Sequence, residues 1–170
     1  MEITNNIVLK TNKKYIFETL KNIKVFERNI DLMIFAISIG INNDNWKEPD
    51  GIDTVEVTRS TLTNYEVSDS LEFLFKTAIL TCDNPKLEIS NNDRMKLAFD
   101  PNYKIKDFNP LKFLMGYITT GLEVIENQVY STVVDDVISN LSYLTKMLIE
   151  KDKLTDEIIQ NIIEKEIKNY

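Results

Sequence analysis

The chain has 170 residues, a net charge of −7, and apolar and charged shares of 43% and 28%; this is enough for one domain with a full core and argues against disorder throughout. With only four Gly and four Pro, the chain has few breaks, which favours helices over a many-turned β sandwich. A surface of that net sign repels phosphate backbones and anionic membranes, unless its charge is unevenly spread.

The opening MEITNNIVLK lacks a charged head followed by an apolar block, so no secretion signal is expected. Residues 3–9 predict a short strand, through the β propensity of Ile7, Val8 and Leu9. Thr11 or Asn12 is expected to cap a helix over 12–23, with Tyr15, Ile16, Leu20 and Ile23 on one face. Charge is positive here: residues 1–30 hold six bases (Lys10, Lys13, Lys14, Lys21, Lys24 and Arg28) against three acids. These six bases are the candidate DNA contacts. After a turn at 22–27, Ile30, Ile34, Ile37 and Ile41 predict a helix over 29–42 that is apolar on most sides and belongs in the core. Its apolar run from Leu32 to Ile41 contains Ser38 and Gly40 and falls short of the ~18 residues that a membrane span needs. No membrane association is expected, and the cytoplasm is the expected location.

Residues 42–53 are a polar loop with Pro49 and Asp50-Gly51 as turn signals. Trp46 in that loop is either an exposed contact residue or folded over the core. Residues 54–58 alternate as a short strand whose partner the sequence does not name. Asp69 and Glu72 have capping-box spacing and predict a helix over 69–82, which Asn84-Pro85 ends. Residues 83–107 are mixed and polar, with one short helix around 91–98 and the greatest expected mobility. Asn109 caps the next helix, with Pro110 at its first position. Further helices are expected over 128–150 and 155–168, and residues 107–170 hold eleven acids against six bases. The whole predicts a mainly α fold. It is a single compact helical domain over 1–170, of about six helices and one or two short strands, with 107–170 as a helical C-terminal part.

The chain has no histidine and one cysteine, Cys82. That excludes His-based nucleophile systems, ordinary zinc sites within one chain and an internal disulfide. Cys82 stands at an expected helix C-terminus, where the dipole disfavours thiolate. The four glycines are too scattered for a phosphate-cradling loop. Glu123, Glu126, Asp135 and Asp136 read as a solvated acidic face, with a Mg²⁺ or Mn²⁺ site as the alternative. Neither catalysis nor a cofactor or metal is expected. The order strand, helix, turn, helix over 1–45 matches a ribbon-helix-helix unit, which pairs its strand with a second copy and reads the major groove. On that alternative the protein is a dimeric DNA-binding regulator; the plainer reading is a structural strand-helix-helix.

Phe26, Asn29, Ile30, Asp31, Leu32, Ile34, Phe35, Ala36 and Gly40 resemble the pattern of small accessory proteins encoded with Dnd DNA phosphorothioation systems, of the fourth described kind. Lys47-Glu48-Pro49 stands where that family has a basic residue, Glu and Pro, and Gly121-Leu122-Glu123-Val124-Ile125 is similar to its closing helix. The likeness covers roughly residues 8–128; where the family is usually richer in bases, this chain has Ile41, Asn42, Asn43, Asp44 and Asn45. The resemblance implies a non-catalytic accessory protein of a bacterial modification-restriction (anti-phage defence) system. Its expected partners are other proteins of that system, a second copy of itself, or DNA, with Trp46, Lys47, Glu48 and Pro49 as candidate partner contacts.

Overall fold

The computed structural model describes residues 5–82 and 89–130, and then residues 137, 139–142, 144–146 and 149. The expected helix over 155–168 lies outside the described residues, as do Asp135 and Asp136. The described elements confirm a mainly helical fold with a two-stranded antiparallel sheet.

β1 (Ile7–Thr11) buries Ile7, Leu9 and Thr11 and exposes Val8 and Lys10, as alternation requires. Its partner is β2 (Asp53–Val57), in the register Ile7 to Val57 and Thr11 to Asp53. The sheet forms within the chain. A ribbon-helix-helix unit pairs its strand with a second copy instead, so β1 does not stand as the unpaired strand of that expectation.

α1 (Lys14–Asn22) buries Ile16, Phe17 and Leu20. It starts two residues later than the expected 12, and the residues thought to cap it act elsewhere. Thr11 stays in the strand and accepts from the Lys13 amide at 3.0 Å, while the Asn12 side chain accepts from the Ile52 amide at 3.2 Å and ties the entry of β2 to the exit of β1. α2 (Asn29–Asn42) runs as expected and buries Ile30, Leu32, Met33, Ala36, Ile37, Ile39 and Gly40. Asp31, in its first turn, accepts from the Arg28 amide and from the guanidinium, the latter at 2.6 Å. A carboxylate there also complements the helix dipole.

A short α3 (Arg59–Leu62), unforeseen in the sequence, precedes α4 (Tyr65–Thr81). The cap of α4 is Asn64, which accepts from the Glu66 amide at 3.1 Å. Asp69 and Glu72 therefore form no capping box: both lie inside the helix, because an Asn cap five residues upstream of Asp69 already satisfies the first turn. α5 (Asn91–Phe99) follows, capped by Ser90, whose hydroxyl accepts from the Asp93 amide at 3.2 Å. α6 (Pro110–Ile125) begins as the sequence said, with the Lys112 amide donating to the Asn109 side chain at 3.0 Å. A π turn, Glu126–Tyr130, continues it.

The chain forms two compact units, Met1–Val124 and Ile125–Tyr170. In the first, α2 and α6 cross antiparallel at backbone contact. A Cβ on Gly40 would strike the backbone of Tyr117, and one on Gly121 would strike the backbone of Ala36. Phe75, Phe108, Phe113 and Tyr117 extend that core as successive ring contacts 5.3–6.1 Å apart. In the second unit, Val129, Leu141 and Leu144 are buried, and the Asn140 side chain donates to the Val129 carbonyl at 3.1 Å. No helix among the described residues is long and apolar enough to cross a membrane.

Candidate interaction surfaces

The six N-terminal bases stand on several different elements. Lys10 points outward from β1, opposite Thr54 of β2. Lys13 precedes α1, and Lys14 and Lys21 share its outer side with Glu18, whose carboxylate lies 3.9 Å from the Lys14 ammonium. Lys24 occupies the turn after α1 with φ +58°. Arg28 is held by both carboxylate oxygens of Asp31. Of this segment's positive charge, part is thus already matched by neighbouring carboxylates, and an exposed pair of this kind contributes little.

The loop after α2 is fastened along one side of α6. The Asn45 carbonyl accepts from the Thr120 hydroxyl at 2.5 Å, and the Trp46 indole N–H donates to the Phe113 carbonyl at 2.8 Å. The Lys47 amide donates to the Gly116 carbonyl at 3.3 Å, and the Lys47 ammonium pairs with Glu123. Residues 113, 116, 120 and 123 recur at helical spacing, so the loop follows a single face. Gly116 leaves room for the indole, because a Cβ there would collide with the Trp46 ring. Of the two sequence readings of Trp46, the structure has the ring folded back and half-buried. Glu48 stays exposed and Pro49 half-buried.

Cys82 caps α4 and is 3% exposed. Burial holds its thiol above the ordinary range. Beside it lies the fully buried Tyr117 phenol, pushed far up by burial and then by its neighbour Cys82, and Arg94 Nη1 donates to the Cys82 carbonyl at 2.7 Å. A buried, protonated thiol is a small core residue rather than a nucleophile. Among the described residues no three His, Cys, Asp or Glu side chains converge as metal ligands, and Glu123 is engaged by Lys47.

One feature was not legible in the sequence. The polar stretch after α5 contributes to a cavity of about 600 Å³ bounded by Phe75 and Lys76 of α4, the end of α5, and Tyr103, Lys104 and Phe108. Two rings within so polar a segment were the available signal; their convergence depends on α4, which is remote in sequence. Comparison with family models, curated proteins and solved structures gives no match.

Proposed function

We propose that this chain is a non-catalytic accessory protein of a bacterial DNA phosphorothioation modification-restriction system, acting in the cytoplasm through contacts with other proteins of that system. The observation that supports it is how the three resembling patches stand to one another. Ala36 and Gly40 of the first meet α6 at backbone contact, through Gly121 and Tyr117, and Lys47 of the second pairs with Glu123 of the third. Patches eighty residues apart in sequence thus belong to one connected piece of the first unit. Glu48, exposed beside that pair, is the residue of the Lys-Glu-Pro patch best placed to meet a partner.

The test is affinity capture of the tagged full chain at native expression level, with the recovered proteins identified. Enrichment of DNA sulfur-modification or restriction proteins, reduced in Glu48→Arg, is the expected result. Recovery of no such protein, with the chain folded and present in the cell, removes the reading.

A further inference from the structure

The cavity between α4, the end of α5 and the loop before α6 lies within the first unit and takes no part in the function proposed above. Its volume of about 600 Å³ falls in the range that holds a small molecule. Three aromatic rings border it. Tyr103 is held through its hydroxyl, which donates to Asp93 Oδ1 at 2.5 Å, and Asp93 is fixed in turn by the Ser90 hydroxyl, which donates to Oδ2 at 2.7 Å. The Lys96 ammonium lies 5.1 Å from the Tyr103 ring centroid, but Lys96 does not line the cavity, so the part of the ring it covers is not the part that the cavity meets. The ring is thereby fixed before any ligand arrives, which lowers the ordering cost of binding. Phe108 supplies a second ring, itself packed on Phe75 and Phe113 at 6.1 and 5.8 Å. Phe99, at the end of α5, is the third; it is 65% exposed, a large apolar area left in water at the mouth of a hollow.

The charges of the lining select against an ion of either sign. Glu72 and Asp100 border the cavity together with Lys76 and Lys104, so the acids and bases cancel. Each is already engaged by the protein: Glu72 is paired with Lys76 at 2.8 Å, Asp100 accepts from the Asn102 amide at 2.9 Å, and Lys104 has an interaction of its own. The first turn of α6 is likewise occupied, because the Asn109 side chain accepts from the Lys112 amide at 3.0 Å. A charged ligand entering here would give up hydration and meet no surplus of opposite charge. An uncharged ring gives up little, and it gains ring contacts beyond the area that it buries.

We propose that this cavity binds a small, planar, uncharged aromatic compound, with its ring against Tyr103 and Phe108 and with Phe99 at its outer edge. The class is set by three rings around one hollow and by a lining whose charges cancel. An anion and a cation on the same ring skeleton are both disfavoured, and a saturated skeleton loses the ring contacts.

Calorimetric or ligand-observed NMR titration of the full chain tests it, with four probes of similar size: 1-naphthylmethanol, 1-naphthoate, 1-naphthylmethylamine and the fully saturated analogue of the alcohol. Saturable binding of 1-naphthylmethanol is expected with a Kd of about 0.1–1 mM, and each of the other three should bind at least about threefold more weakly. Phe99→Ala and Tyr103→Ala should each weaken the alcohol by about threefold or more. Phe99 is largely exposed, so its variant keeps the test valid should Tyr103→Ala fail to fold. The proposal fails if the alcohol does not saturate, if either ion or the saturated analogue binds as tightly, or if Phe99→Ala leaves the affinity unchanged.

Discussion

Asp93 shows how a half-buried side chain acquires a defined role from its neighbours. The Tyr103 hydroxyl, and then the Ser90 hydroxyl, hold its carboxyl below the ordinary range, because both donate to the charged form. A group with a depressed folded-state pKa stabilises the fold above its unfolded value, and that contribution is lost as pH falls through the folded one. The stability difference between the native chain and Asp93→Asn is therefore expected to be largest near neutrality. It should shrink below about pH 4 and vanish at the acid end. Urea unfolding at stepped pH measures it, and a difference that grows on acidification would contradict the assignment. The same variant should let the Tyr103 phenol, now raised chiefly by Asp93, titrate lower; ultraviolet absorbance follows that directly. None of this was readable from the sequence. A Ser-x-x-Asp spacing announces a helix start, but the tyrosine that completes the trio enters from a loop whose path is set by packing.

At the scale of elements, α2 and α6 cross antiparallel within the first unit. Their backbones touch because Gly40 and Gly121 face Tyr117 and Ala36. Gly121→Ala would gain about 1 kcal/mol of helix propensity. The new methyl meets backbone rather than a side chain able to turn away, so overpacking of about 1–3 kcal/mol opposes that gain and should exceed it. A lowered urea midpoint with an unchanged denaturant slope is expected; a raised midpoint would show that the helices can part without cost. The helices themselves were largely legible. The isoleucine stripe gave α2, and Asn109-Pro110 gave the start of α6. What failed was local and specific: Asp69–Glu72 imitated a cap that Asn64 already supplied, and Thr11 and Asn12 were drawn into the strand pairing. The pairing of β1 with β2 and the path of residues 45–47 along α6 join segments forty or more residues apart. Periodicity reports which face of an element is apolar and says nothing about which remote segment will cover it.

For the whole molecule, the question is whether a chain of net charge −7 touches DNA by itself. Non-specific binding is driven by counterion release, which needs several cations able to reach phosphates together. The N-terminal bases are spread over a strand face, a helix side and a turn, Arg28 is bound to Asp31, and Glu18 lies between Lys14 and Lys21. The edge of β1 that faces β2 is occupied along all five residues, so a base-reading ribbon would have to form on the other edge. The expected result is that duplex DNA is not shifted by the purified chain at about 0.15 M salt, up to about 100 µM protein. Binding that persists there, weakens linearly on a log–log salt plot and is lost in Lys10→Ala, Lys13→Ala, Lys14→Ala would return the regulator reading to first place. Without it, any action of this protein on DNA must pass through a partner that carries the positive charge, and a chain of the opposite sign is suited to dock on such a partner.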